Sequence, residues 1–139
     1  MGDIEEILNK VKDDKVKFIQ LWFTDLHGRN KSVDIPQHKL KESLSRGTWF
    51  DGSSIDGFAR IEESDMFLKP DASTYAVLPW SNKDKRVARF ICDISSKDGN
   101  PFVGDPREIL KRSLKKAKNM GFEYNVGPEL EFFLFKGND

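Results

Sequence analysis

Two runs of β-branched and aromatic residues, separated by a short polar segment, limit the possible folds of this chain more than any other feature. Val16 to Thr24 forms the first run, and Asn30 to Ile35 forms the second. Such runs are typical of strands, and the intervening segment, Asp25 to Arg29, is rich in turn-forming residues. We predict a β-hairpin near the amino terminus, with its first strand buried on much of both faces.

Helical patterns precede and follow this hairpin. Apolar residues line one face of a predicted helix from Asp3 to Val11. A second, short helix is predicted to begin at Pro36, with Leu40 and Leu44 on its inner face and Gly47 at its end.

Further strands are predicted at residues 75–80 and 87–94. Taken in order, these elements predict an α+β fold in which a mixed sheet is partly wrapped around one helix. A β-grasp (ubiquitin-like) arrangement fits this order, although order alone does not establish which strands pair.

Composition narrows the function classes. Lys plus Arg and Asp plus Glu number 23 each in the 139 residues, and this zero formal charge argues against a dedicated nucleic-acid binder. No apolar run approaches the ~20 residues of a membrane span. The single cysteine, Cys92, and an acidic amino terminus without secretory features predict a cytoplasmic protein. We therefore expect neither a nucleic-acid nor a membrane partner.

A second structural unit is predicted after residue 101. Asp105, Pro106 and Glu108 have the spacing of a helix cap, a first helical residue and a third residue that reaches back to the cap. A strand with apolar residues on both faces is predicted from about Phe122 to Phe135, and such strands are normally covered above and below. Because only one helix of that unit precedes the strand, we expect the chain to be a truncated piece of a larger protein.

Glu129 and Glu131 are the first candidate site residues. At positions i and i+2 of the predicted strand, their carboxylates share a face about 6.5–7 Å apart. Two ionised carboxylates are costly there without compensating positive charge, and Mg²⁺ and Mn²⁺ prefer oxygen ligands. The spacing alone nevertheless favours the simpler interpretation, two solvated glutamates at a strand end.

The loop Asp51-Gly52-Ser53-Ser54 is the second candidate. It follows a short apolar run and offers a carboxylate, a flexible residue and two hydroxyls. Such a loop can place an acid where a small cation or a proton-bearing substrate binds. Without further context, a plain Asp-Gly turn is the simpler interpretation.

Several segments, taken together, resemble type I glutamine synthetases. They are Phe-Asp-Gly-Ser-Ser at 50–54 with Glu-Ser-Asp-Met at 63–66, Val-Ala-Arg-Phe-Ile-Cys-Asp at 87–93, Gly-Asp-Pro-Arg at 104–107, and Gly-Pro-Glu-Leu-Glu-Phe-Phe-Leu-Phe at 127–135. The similarity covers nearly the whole chain from about Val16 onward. Two long motifs in register are a specific signal, and they favour the functional interpretation of both candidate sites.

The resemblance implies an enzyme that makes glutamine from glutamate, ammonium and ATP through a γ-glutamyl phosphate. It implies that Glu129 and Glu131 each hold one of two Mg²⁺ or Mn²⁺ ions. It also implies that Asp51 binds ammonium and helps to remove its proton, and that Ser54 helps to shape that site. Arg60 falls where the subfamily inhibited by glutamine carries an arginine, which implies a role in feedback inhibition.

The resemblance further implies an assembly of identical subunits, expected to be a ring-based dodecamer, in which the β-grasp domain of one subunit closes the catalytic domain of its neighbour. The expected divisions are an amino-terminal helix at 1–14, the β-grasp domain at 15–102 and the truncated beginning of the catalytic domain at 105–139. The family's ATP-binding signature and glutamate-binding arginines have no counterpart in the sequence, so the chain alone is expected to be inactive.

Two other interpretations remain open at this point. A free-standing β-grasp binding module needs no catalytic residues, but it leaves the acidic pair at the head of the last predicted strand unexplained. A small hydrolase could use Asp51 with Glu129 or Glu131 as acid and base, provided that these side chains converge within one chain.

Overall fold

A computed structural model describes residues 2–55 and 65–137 of the chain. Helix α1 spans Gly2–Asp13, strand β1 spans Val16–Thr24 and strand β2 spans Asn30–Pro36. The two strands pair antiparallel, with Leu21 opposite Val33. The predicted helix and hairpin are therefore confirmed.

The expectation that β1 is buried on much of both faces is correct for one face and wrong for the other, where the residues are exposed or only partly buried. Ile19, Leu21 and Phe23 are buried, whereas Phe18 on the opposite face is 47% exposed. Apolar residues of the helices before and after the hairpin belong to the same buried cluster as these β1 side chains. The helices therefore pack against this one face of β1.

The rest of the sheet is built around the longest strand, β6, at Arg86–Ser96. It runs parallel to β1 on one side and antiparallel to strand β4, Asp65–Pro70, on the other. Strand β3, Thr48–Asp51, pairs with β4 and completes the order β2-β1-β6-β4-β3. This mixed sheet confirms the predicted α+β architecture.

Helix α2, Leu40–Arg46, packs beneath the sheet after a short 3-10 turn at Gln37–Lys39. Leu40 is fully buried, and Leu44 packs against the core as the sequence predicted. Gly47 ends the helix with a φ of +84°. A Cβ atom added at Gly47 would also lie only 3.1 Å from the Leu68 carbonyl oxygen. Glycine therefore suits this close approach to the backbone of β4.

Two strand predictions need correction. The run from Tyr75 to Trp80 contains only the two-residue strand β5, Ala76–Val77, because Pro79 lacks the N–H that a sheet ladder requires. Strand β4 was not predicted at all, although Met66 and Leu68 are buried and alternate with Phe67 and Lys69. The strand is only six residues long and ends in proline.

The core lies between the sheet and the helices. Phe90, Ile19, Leu21, Leu40 and Leu68 are among its largest fully buried side chains. The lone Cys92 is also buried, and burial raises the pKa of its thiol, as expected for a small hydrophobic residue in a core. Among the residues described, no helix is long and apolar enough to cross a membrane.

The carboxy-terminal part differs from its prediction. Helix α3 forms at Pro106–Asn119, and the Asp105 side chain accepts a hydrogen bond from the Arg107 N–H, as predicted for a cap. The predicted strand from Phe122 to Phe135 is wrong, since this segment has no regular secondary structure and Phe133 is 88% exposed. A strand needs a neighbour to pair with, and none of the described strands pairs with this segment.

The turn between β1 and β2 supports a prediction about stability. Asp25 is buried there and accepts hydrogen bonds from the N–H groups of His27 and Arg29, at 2.9 and 2.8 Å. Burial alone would raise the pKa of Asp25, but these N–H donors and the Lys31 ammonium hold it below its usual 3.8. A lowered folded-state pKa stabilises the fold above the unfolded pKa, and that contribution disappears as pH falls through the folded value.

We therefore expect Asp25→Ala to lower the melting temperature at pH 7 and to lower it less as the pH falls below about 3.8. Thermal unfolding followed by circular dichroism between pH 2.5 and 7 measures both effects. Asp34→Ala is the matched control, because Asp34 is an exposed aspartate of β2 whose side chain accepts, within the described part of the chain, only a hydroxyl hydrogen bond from Ser32. Equal effects of the two substitutions at every pH would contradict the assignment.

Candidate functional site

Asp51 lies where the chain leaves the core. The preceding residue, Phe50, is buried, and its ring centroid is 5.0 Å from that of Phe23 in β1. Because side chains of a strand alternate between faces, Asp51 projects away from the packed side and is exposed. The strand thus holds the position of the Asp51 backbone from within the core.

The Asp51 carboxylate is oriented by the turn that follows. Its Oδ1 atom accepts hydrogen bonds from the Ser53 N–H at 2.9 Å and from the Ser53 hydroxyl at 2.7 Å, which caps a 3-10 turn at Gly52–Ser54. Ser53 was not among the predicted site residues, although an aspartate followed by serine two residues later is a known capping pattern. The side chain of the predicted residue Ser54 lies outside what the structure describes.

A second aspartate stands opposite Asp51. Asp65 is its direct partner in the β3–β4 pair, so the two residues share one face of the sheet. The Trp49 indole N–H donates to Asp65 at 3.0 Å, and the Lys97 ammonium lies 3.8 Å from it. Like charges on paired residues destabilise a sheet unless a positive group offsets them. Lys97 is 81% exposed and offsets them only weakly, so this edge favours a further cation. Asp65 was not predicted as a site residue, and its position follows from the unpredicted strand β4.

The rest of the predicted loop site lies outside the described residues. Arg60 falls between residues 56 and 64, as do Glu63 and Ser64 of the sequence motif. Their roles stay predictions.

Glu129 and Glu131 lie in the exposed segment after α3. Neither carboxylate forms a hydrogen bond or an ion pair with any other residue that the structure describes, and the neighbouring Leu130 is 86% exposed. The carboxylate pocket required by the hydrolase interpretation is therefore not formed around these glutamates in the described part of the chain.

The two glutamates carry suitable donors for a divalent cation, but nothing among the described residues holds them in place. Mg²⁺ usually keeps several waters and is bound by one or two carboxylates together with substrate phosphates, so two exposed carboxylates alone form a weak site. Within residues 2–55 and 65–137, no three histidine, cysteine, aspartate or glutamate side chains come close enough to hold a metal ion. The described residues do not by themselves form the metal centre that the resemblance implies.

Comparison with known proteins identifies the two parts of the chain. A family model described as "Glutamine synthetase, beta-Grasp domain" matches residues 15–97. A second, "Glutamine synthetase, catalytic domain", matches residues 103–139. The junction between the two matches lies in the turn region that follows β6.

Curated relatives and a solved structure agree with this assignment. The chain is 51% identical to glutamine synthetase of Clostridium saccharobutylicum over 135 residues, which are 97% of this chain and 30% of that protein. It is 55% identical to the enzyme of Methanosarcina mazei over 132 residues, 95% of this chain and 30% of that protein. A cryo-EM structure of Plasmodium falciparum glutamine synthetase matches with a TM-score of 0.75 and 30% identity, over 85% of this chain and 23% of that one.

The mixed sheet and the first family match define a β-grasp domain, which confirms the fold predicted from sequence. The chain belongs to the glutamine synthetase family. It spans about 30% of the length of the curated relatives that it matches.

Proposed function

We propose that this chain serves as part of an ATP-dependent glutamate–ammonia ligase and contributes Asp51 to an active site shared between subunits. In that reaction the γ-carboxylate of glutamate takes the terminal phosphoryl group of ATP. Ammonia then attacks the acyl phosphate, and inorganic phosphate leaves as glutamine forms. The observation that supports this role best is the Asp51 carboxylate, held by Ser53 at the exposed end of β3 and facing Asp65.

Asp51 has the chemistry required for an ammonium site. Ammonium has no lone pair, so it attacks only after losing a proton, and a carboxylate can both attract the cation and accept that proton. Ser53, in the same loop, donates a hydrogen bond to one oxygen of Asp51, which fixes the orientation of the carboxylate. The adjacent Asp65 adds negative charge that favours a small cation at this edge of the sheet. Ser54 is proposed to help shape this site.

Glu129 and Glu131 are proposed to contribute carboxylate ligands to two Mg²⁺ or Mn²⁺ ions in the whole enzyme. When bound, such ions neutralise the charge of a transferred phosphoryl group. Their remaining ligands are proposed to be water, substrate phosphates and groups of the whole enzyme, because the two glutamates stand alone among the residues described. The exposed apolar residues around them agree with a segment that is covered in a larger assembly.

The proposed partners are identical subunits in a ring-based dodecamer, with ammonium, glutamate and ATP as substrates. In such a ring the Asp51 loop of one subunit meets the glutamate pair of its neighbour, so each active site needs two chains. Arg60 is proposed to take part in feedback inhibition by glutamine. A cytoplasmic location stays a prediction.

A chimeric enzyme tests the proposal. This chain replaces the corresponding 30% of the Methanosarcina mazei relative, to which it is 55% identical. We expect the chimera to assemble and to form γ-glutamyl hydroxamate from glutamate, ATP and hydroxylamine. The 139-residue chain alone should form none, because it lacks the partner ligands described above.

The two arms of this experiment have distinct outcomes. An assembled chimera without activity would contradict the proposed function and favour a binding module on the same fold. Turnover by the purified 139-residue chain would contradict the proposal that the site needs a second subunit and further ligands. The parental Methanosarcina mazei enzyme, prepared in the same way, is the positive control.

A further inference from the structure

Helix α3 is attached to the sheet in an unusual way. None of its residues is buried, and its apolar residues Ile109, Leu110 and Leu114 are 44%, 52% and 39% exposed. Most helices in proteins are held by packing of an apolar face. Among the described residues, α3 therefore depends on polar contacts for its position.

The first of these contacts is made by Asp105. This side chain is 1% exposed, and its two oxygens accept hydrogen bonds from the Ile94 N–H in β6 and the Arg107 N–H in α3, both at 3.0 Å. The Phe102 N–H also donates to the Ile94 carbonyl at 2.9 Å. These bonds fix the starting point of α3 beside β6, but one point does not define a direction.

Four charged residues supply the second point of attachment, and we call them the ion cluster: Asp71, Asp93, Arg107 and Lys111. The two terminal nitrogens of Arg107 donate separately to Asp71 and Asp93, each at 2.6 Å. The Lys111 ammonium lies 2.7 and 2.6 Å from the two oxygens of Asp93. Asp93 belongs to β6, and Asp71 precedes the 3-10 turn at Ala72–Thr74.

The geometry of the ion cluster is suited to holding a direction. Arg107 and Lys111 are one helical turn apart near the start of α3, so the sheet contacts the helix at two successive turns and not only at its cap. A guanidinium presents its donors in a rigid fork, and here the fork spans two carboxylates from different segments. The arginine is 24% exposed and the two aspartates 29% and 35%, so solvent screens these pairs less than fully exposed ones.

The pKa values agree with this geometry. Burial alone would raise the pKa of Asp71, but hydrogen bonds from Arg107 and Ser73 hold it below its usual value. Burial alone would lower the pKa of Arg107, but its two carboxylate partners raise it. Both shifts favour the charged forms of Asp71 and Arg107, as their contact requires.

We infer that the ion cluster sets the direction in which α3 leaves the sheet, with Asp105 as the pivot. The sheet carries Asp51, and α3 leads to the segment that carries Glu129 and Glu131. A further consequence rests on the proposed function: the ion cluster would then set how the Asp51 loop and the glutamate pair of one subunit, which serve two different active sites, are placed relative to each other.

Pulsed electron paramagnetic resonance on the 139-residue chain tests the inference without reference to catalysis. Spin labels are introduced by Lys17→Cys on β1 and Lys118→Cys near the end of α3, two positions that are exposed. Cys92 is buried and its pKa is raised, so it does not compete for the label. Dilution with unlabelled chain removes distances between molecules.

We expect a narrow distance distribution for the parent chain and a broad one for Arg107→Ala. Lys115→Ala is the matched control, because it removes the same charge from the same helix at an exposed residue whose side chain forms no hydrogen bond or ion pair with the rest of the described chain. Arg107→Lys keeps the charge but cannot span both aspartates, so it should also broaden the distribution.

Three outcomes would overturn the inference. The first is an unchanged distribution in Arg107→Ala, and the second is equal broadening in Lys115→Ala. The third is a loss of helical circular dichroism equivalent to α3, which would show that the cluster stabilises the helix instead of orienting it. Should Arg107→Ala fail to fold, an unchanged distribution in Arg107→Lys would overturn the inference equally.

Discussion

Asp51→Ala in the chimeric ligase should reduce the turnover with ammonium by about 10²–10⁴-fold, the usual contribution of a positioned general base. The KM for ATP should change little, because the residue acts on ammonium and not on the nucleotide. Steady-state kinetics with each substrate varied in turn separates the two effects. Among the predictions about activity, this is the largest expected effect of a single substitution.

Asp51→Asn separates the charge of this residue from its structural role. An asparagine oxygen still accepts the hydrogen bonds from Ser53 that cap the turn, but the side chain neither neutralises ammonium nor accepts its proton. Asp51→Asn should therefore lose nearly as much turnover as Asp51→Ala while keeping the turn intact. Asp34→Ala, at an exposed aspartate on the opposite edge strand, is the control and should leave the kinetics unchanged.

A matched loss of ammonium turnover and ATP affinity would contradict the assignment. It would mean that the Asp51 turn supports the shape of the active site without taking part in the chemistry. Retention of most activity by Asp51→Asn would contradict it as well.

The local elements of the fold could be predicted because their signals lie within short segments. The apolar run that predicted β1 matches the observed strand at both ends. Gly47 ends α2, as predicted from the ability of glycine to adopt a positive φ. Strand β4 was not predicted, since its place beside β3 and β6 depends on residues up to thirty positions away. The predicted strand at Phe122 to Phe135 failed for a similar reason, because an apolar pattern specifies a strand only where a partner is available.

The residues of the candidate site also fall into two groups, those that a local motif predicts and those whose position depends on strand pairing. Asp51 could be found from its motif, but Asp65 could not, because its position opposite Asp51 follows from pairing with β4. The ion cluster joins Asp71 to Arg107 and Asp93 to Lys111, which are 36 and 18 positions apart in the chain. Only the three-dimensional arrangement brings these charges together.

Phe90→Ala should destabilise the fold by about 3–5 kcal/mol, enough to unfold much of a small domain whose whole stability is about 5–15 kcal/mol. Phe90 is fully buried in the central strand β6, opposite Leu21 of β1, and its ring centroid is 5.4 Å from that of Tyr75. Removing the ring leaves a cavity on the packed face of the sheet, which the surrounding core side chains fill only in part. Urea denaturation followed by tryptophan fluorescence measures the loss.

The same substitution at Phe133 provides a matched control for this last prediction. Phe133 is 88% exposed, so Phe133→Ala removes an identical side chain without opening a cavity and should change the stability by less than about 0.5 kcal/mol. The contrast between the two phenylalanines locates the folded core in the sheet and places the last segment outside it. Equal losses at both positions would show that residues 122–135 pack into the same cooperative unit, which would contradict the described fold of the carboxy-terminal part.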